Sequence, residues 1–313
     1  MGQIVAAMAS SHAYTFTKPE TWDERRNRTR GNYARRYGYE PPERPEVAQE
    51  SFDDDVVRFR NIDAALESLR SHLRELRPDA LILIGDDQDE NYRTNNLPQL
   101  AIYTGSELTT FEHGSHYRCD ADLARAILTT AVESEFDLAS SESFGDAGLI
   151  SHAHRDILRF HDPEGSLALV PVFVNAIHVP GPTPRRCYEF GRIIRQAVEQ
   201  SPDEKRVAIY ASGGMSHFTA GYPWPHYEGP ATVGSICIDF DHELTTAMRD
   251  GQSARLAELS SSDLLANGGI EFRQWLVMLG VLGDAKPREL VYEPFFRAVM
   301  GMAVGYWDLA GAA

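Results

Sequence analysis

Short apolar runs rich in β-branched residues alternate along this chain with segments whose apolar residues recur every three or four positions. Gln3–Met8, Leu81–Ile84, Leu167–Asn175 and Val207–Tyr210 are of the first kind. Each is bounded by charged or small residues, which predicts buried strands. Asn61–Leu76 is of the second kind, with Ile62, Leu66, Leu69, Leu73 and Leu76 at helical spacing and Pro78 closing the segment. Ala121–Ser134 and Arg185–Gln200 also predict helices, the latter facing inward through Tyr188, Ile193, Ile194 and Val198. Such alternation predicts an α/β chain, residues 1–313 forming a single domain with a central mixed, largely parallel sheet and helices on both faces. Leu100–Tyr103 reads as a further short strand, and Ser235–Met248 as the entry to a helix-rich tail.

Two stretches break the pattern. From Thr21 to Pro45 the composition turns to Arg, Asn, Tyr, Glu and Pro with little apolar periodicity. Long insertions of this kind are functional or mobile, so an arm or lid is expected over residues 21–50. Phe218–Pro230 carries Tyr222, Trp224, His226 and Tyr227 among prolines. It predicts a loop that walls a pocket for a flat ring or contacts another subunit.

Chemistry gathers where strands stop. Ile209–His217 runs from a strand into Ser212-Gly-Gly-Met-Ser-His217, where two glycines permit positive φ and close backbone approach. Ala9-Ser-Ser-His12 leaves the first strand in the same manner, and ligands of α/β sheets collect at the carboxyl ends of strands. Gly85-Asp-Asp-Gln-Asp-Glu90 is the densest carboxylate cluster and has Gln88 at its centre. Packed acids need a cation, a basic partner or water. His152 and His154 would share one side of an extended segment but not of a helix. Glu271 opens an apolar helix through Leu282, where the helix dipole alone accounts for a carboxylate. The bland alternatives are a surface histidine, a capping Ser-His pair and a solvated acidic loop.

Bulk properties narrow the partners. A formal net charge of −16 and a pI near 5.1 oppose binding to nucleic-acid backbone or anionic membrane, so a small molecule is expected. Cys119, Cys187 and Cys237 are odd in number and far apart, which points to reduced thiols and the cytoplasm. The apolar N-terminus lacks a basic flank and reads as a strand rather than a signal peptide. No apolar run reaches the ~18 residues of a membrane span. Gly213-Gly214 has neither dinucleotide nor P-loop spacing.

His12, Gly85-Asp-Asp-Gln88, Ser212–His217 and Gly269-Ile-Glu-Phe-Arg-Gln-Trp275, in that order, resemble the class III extradiol ring-cleavage dioxygenases. Within them the chain looks most similar to the 3-O-methylgallate and gallate branch of the protocatechuate 4,5-dioxygenase β-subunit superfamily. Val172-Phe-Val-Asn175 and Pro182–Tyr188 extend the resemblance over nearly the whole chain. It implies a non-haem Fe(II) enzyme that cleaves a catechol-type aromatic with O2, and a homo-oligomer. It also implies His12 and Glu271 as metal ligands, His217 as acid/base and His152 beside the substrate oxygen. The family's Asn-Asp-His is matched here by Asp86-Asp87-Gln88, so Gln88 or a neighbouring Asp stands where the second histidine ligand would be. Imidazole is the better iron donor. Two other readings compete: different metal chemistry on the same scaffold, such as hydrolysis or opening of a nitrogen heterocycle, and a metal-free binding protein.

Overall fold

The computed structural model describes residues 1–110, 115–144 and 149–310. Its strands are β1 (Gln3–Ser10), β2 (Ala80–Asp86), β3 (Leu100–Tyr103), β4 (Glu107–Thr110), β5 (Ser115–Arg118), β6 (Ala139–Ser141), β7 (Ala168–Val174), β8 (Arg206–Ser212), β9 (Glu289–Phe295) and β10 (Met300–Asp308). The helices are α1 (Trp22–Tyr37), α2 (Pro45–Gln49), α3 (Phe52–Leu76), α4 (Ala121–Glu133), α5 (His152–His161), α6 (Pro184–Gln200), α7 (Ile238–Arg249), α8 (Ser253–Leu256), α9 (Ser261–Ala266) and α10 (Phe272–Leu282). Eight strands form one sheet in the order β6-β3-β7-β2-β8-β1-β10-β9, while β4 and β5 pair separately. The middle, β7-β2-β8-β1, is parallel, and β10 and β9 add antiparallel to it beyond β1.

The continuous apolar runs arise because this middle is covered on both faces. Val207, Ile209 and Ala211 of β8 point into a core with Cys187, Phe190, Ile194, Trp275 and Met278 from α6 and α10. Ala208 and Tyr210 point the other way, into a core with Leu66, Leu69 and Leu73 of α3 and Ile157 of α5. Registry then aligns the strand ends: Ser10 pairs with Ser212 and Ile84 with Ala211. The residues that follow β1, β2 and β8 therefore emerge side by side at one edge, where the strand-end motifs lie.

Three features go beyond the sequence reading. The helix-rich tail also carries β9 and β10, which return as an antiparallel hairpin on the sheet. Every residue of β10 except Asp308 is buried, and a fully buried strand lacks the period-two signal that would reveal it. The arm is largely helical: α1 buries Trp22, Arg26 and Tyr33, too few contacts to show as apolar periodicity. Trp22 meets Phe59 and Phe295 at ring separations of 5.2 and 5.0 Å, and Arg297 bonds Asp23 and the buried Asp55. His152 and His154 lie on a helix and diverge. The three cysteines are unpaired, and among the described residues no helix is long and apolar enough to cross a membrane.

Helices α6 and α10 touch backbone to backbone at Gly191 and Gly280. A Cβ on Gly280 would lie 1.9 Å from the Tyr188 carbonyl oxygen and 3.0 Å from the Gly191 Cα. Alanine favours a helix over glycine by ~1 kcal/mol, but neither backbone can yield without separating the helices, so the clash dominates. Gly280→Ala is expected to lower unfolding free energy by about 1–3 kcal/mol in denaturant titration. An unchanged or higher midpoint would contradict this packing.

Candidate metal centre

His12 sits just past β1 with its ring buried. Its Nδ1 is 3.2 Å from Ser212 Oγ, whose single proton is donated at 2.7 Å to the Ala153 carbonyl. The hydroxyl must therefore accept from His12, which places that ring's proton on Nδ1 and leaves the neutral ring's lone pair on Nε2. The Nε2 atom faces two carboxylates, Asp86 Oδ1 at 3.9 Å and Glu271 Oε2 at 3.8 Å. One ligand atom from each of His12, Asp86 and Glu271 lies within 4.8 Å of the others, and all three residues are buried. Two bonds near ~2.1 Å span about 4.2 Å, so the two contacts to His12 fit a shared ion and the widest separation needs to close by roughly half an ångström.

Glu271 occupies the N-cap position of α10 but makes no capping bond with its own helix. Its carboxylate instead accepts from the Gly214 N–H at 2.9 Å and contacts His217 Nε2 at 3.1 Å. This is why residues 213 and 214 are glycines. A Cβ on Gly213 would meet the Glu271 carbonyl oxygen at 2.5 Å, and one on Gly214 the His217 ring at 2.8 Å. Close approach is the requirement, for neither takes the positive φ that the doublet also permits.

The loop bearing His217 is pinned from three sides. Met215 and Ser216 exchange backbone bonds with Gly301 of β10, and the His217 N–H reaches the Gly268 carbonyl. Buried Asp241 of α7 accepts from the Ser216 N–H at 2.8 Å and its hydroxyl at 2.7 Å. Asp241 was not singled out in the sequence; its place in the amphipathic α7 resembles any helix-start acid.

Electrostatics show what the cluster lacks. Burial and the charge of Glu271 push the Asp86 carboxyl above its usual range. Burial would raise Glu271 too, but the charge of His217, with the hydrogen bonds from His217 and the Gly214 N–H, holds it well below the carboxylate norm. Burial opposes a charge on His217, yet Glu271 and the bond to the Met215 carbonyl lift it to about 9.

The remaining expected residues divide. His152 stands edge-on to His12 at a ring separation of 5.0 Å, and its Nδ1 is 2.8 Å from Glu90. Burial alone would lower its pKa, but Glu90 and the other acids raise it to about 9. His154 turns away beneath β2, bonded to Ser151 and the Val172 carbonyl, where burial lowers it to about 4. Gly85 makes room for that ring, since a Cβ there would lie 2.6 Å from it. Asp87 caps its own loop by accepting from the N–H groups of Glu90, Asn91 and Tyr92. Gln88 presents its amide nitrogen to Asp86 Oδ2 at 3.0 Å and to Glu271 Oε1 at 3.5 Å.

Comparison with known proteins gives the chain a family. Residues 37–303 match the family described as the catalytic LigB subunit of aromatic ring-opening dioxygenase. A gallate dioxygenase of Pseudomonas putida is 33% identical over 125 residues, which cover 39% of this chain and only 34% of that enzyme. A 2,3-dihydroxyphenylpropionate/2,3-dihydroxicinnamic acid 1,2-dioxygenase of Comamonas testosteroni is 24% identical over 81% of this chain and 89% of its own length. An uncharacterized protein of Escherichia coli K12 shares the fold, with a TM-score of 0.51 at 11% identity over 96% of this chain and 99% of that one. With most of its length matched, the chain belongs to the LigB family of aromatic ring-opening dioxygenases.

Proposed function

We propose that this protein is a non-haem Fe(II)-dependent extradiol dioxygenase that opens a catechol-type ring, of protocatechuate, gallate or methylgallate type, and inserts both atoms of O2. The observation that carries the reading is the convergence of the His12 lone pair with two buried carboxylates in a chain of this family. An imidazole nitrogen and carboxylate oxygens suit a divalent first-row ion, and a buried carboxylate oxygen without a partner, Asp86 Oδ1, is what a cation would satisfy. His12 and Glu271 would hold the ion, with a further donor from the end of β2. Bound Fe(II) supplies open positions for the two oxygens of a diol and for O2.

The chain's own groups do the rest. His217 is fixed by donating its Nδ1–H to the Met215 carbonyl at 2.7 Å, so Nε2 keeps a constant direction. Glu271 pairs with the proton on Nε2. With Glu271 committed to a metal ion that pairing would weaken, and Nε2 would be free to take a phenolic proton from substrate and return it later in the reaction. His152, held cationic by Glu90, stands across His12 in position to pair with a substrate oxygen.

The arm over residues 21–50 is proposed to cover the approach. Asn32, Arg35 and Arg36 of α1 form a groove with Gln88, Ala220 and Gly221, and Arg36 is tied to the Ala220 carbonyl at 2.8 Å. Tyr33 packs on Trp224 at 5.2 Å, so the arm and the aromatic loop close on one another.

O2 uptake with catechols, gallate and 3-O-methylgallate after anaerobic loading with Fe(II) tests the reading. Uptake is expected with at least one diol, to vanish on chelation and to return with Fe(II). Turnover that survives complete metal removal would contradict it. His217→Ala should keep one iron per chain and slow turnover by roughly 10²–10⁴-fold, as loss of a positioned acid/base does. Loss of iron from that variant would make His217 a ligand instead.

A further inference from the structure

The resemblance drawn from the sequence leaves the third metal donor of this chain open, because position 88 carries a carboxamide where it implies a histidine. Gln88 and Asp86 both lie at the end of β2, and their contacts separate their roles. Asp86 is fully buried, and its Oδ1 has no hydrogen-bond partner. That oxygen faces His12 Nε2 at 3.9 Å, on the same side as Glu271 Oε2. Of the four carboxylate oxygens only Asp86 Oδ1 is without a partner, since Glu271 Oε2 also accepts from the Gly214 N–H at 2.9 Å. Asp86 Oδ2 accepts from Gln88 at 3.0 Å, and Glu271 Oε1 is met by His217 at 3.1 Å. Gln88 therefore stands behind the two carboxylates with its N–H groups towards them, and an amide nitrogen has no lone pair for a metal.

Resting on the metal-dependent reading above, we infer that Asp86 is the third metal ligand, through Oδ1, and that Gln88 is a positioning residue that holds the Asp86 carboxylate from behind. The backbone supports this arrangement. Ser151 Oγ donates to the Asp86 carbonyl at 2.8 Å, and strand pairing of Asp86 with Val174 sets the direction of its side chain. The resulting centre has one imidazole and two carboxylates. It carries one more negative charge than a set of two imidazoles and one carboxylate, and its harder oxygen donors favour hard divalent ions.

The test is calorimetric titration of the full-length, metal-stripped chain with Co(II), with the visible spectrum of bound Co(II) recorded for each variant. Wild type should bind one Co(II). Asp86→Asn, which keeps shape and removes the charge, should lose stoichiometric binding, a fall of ~10³-fold or more, together with the metal-induced rise in Tm. Gln88→Ala should weaken binding by about 10–100-fold, as loss of an outer hydrogen bond to a ligand does, while its Co(II) spectrum stays that of wild type. Wild-type affinity in Asp86→Asn, or a changed spectrum in Gln88→Ala, would overturn the assignment. Should Asp86→Asn fail to fold, the Gln88→Ala spectrum alone still decides whether Gln88 is a ligand. A wild-type chain that binds no Co(II) would remove both the assignment and the metal-dependent reading. The expected ligand pattern without O2 uptake on any diol would remove the dioxygenase reading and leave the assignment standing.

Discussion

Asp86 and Glu271 face the same histidine nitrogen from two elements that are 185 positions apart in the chain, with little water to screen them. Buried charge costs several kcal/mol per ion: His217 offsets that of Glu271, whereas burial and Glu271 push the Asp86 carboxyl above its usual range, and the lone pair of His12 adds to the repulsion. Much of the structure serves to keep this unfavourable arrangement in place. The parallel register of β1, β8 and β2 brings the three strand ends together, Ser212 fixes the His12 tautomer, and Gly213 and Gly214 let the Glu271 carboxylate reach backbone N–H. The packing of α10 against α6 at Gly280 and Gly191 sets where Glu271 begins. A scaffold that rigid is the preorganisation a metal site requires.

The elements that carry the centre were legible in the sequence because each is a buried β-branched run ending in small residues. β1, β2 and β8 extend the expected strands by two or three residues, and β7 is one residue shorter than expected at each end. Glu271 was legible as the start of an apolar helix, though its position suits a cap equally well. Only the structure shows that the side chain leaves its own helix for Gly214 and His217. The glycine doublet was expected to admit a ligand close to the backbone; in the structure it admits the Glu271 backbone and the His217 ring, at ordinary φ angles.

Other features had no one-dimensional signal. β10 is buried on both faces, so nothing alternates along it. The arm's helix rests on Trp22 and Tyr33, single aromatics whose partners Phe295 and Trp224 lie roughly 200 residues or more away. The distinct roles of Asp86, Asp87 and Gln88 are the clearest case. Three consecutive polar residues look interchangeable in sequence, yet one faces the focus, one caps its own loop and one backs its neighbour's carboxylate. Direction of a side chain at a strand end depends on register with β7 and on the turn that follows, and neither is local.

Anomalous diffraction from crystals of the chain loaded anaerobically with Fe(II) examines this arrangement without reference to turnover. A single peak is expected at roughly ~2.0–2.3 Å from His12 Nε2, Asp86 Oδ1 and Glu271 Oε2, with Gln88 bonded to Asp86 and outside that radius. A peak coordinated by the Gln88 oxygen in place of Asp86, or no peak among these three residues at saturating iron, would contradict the account.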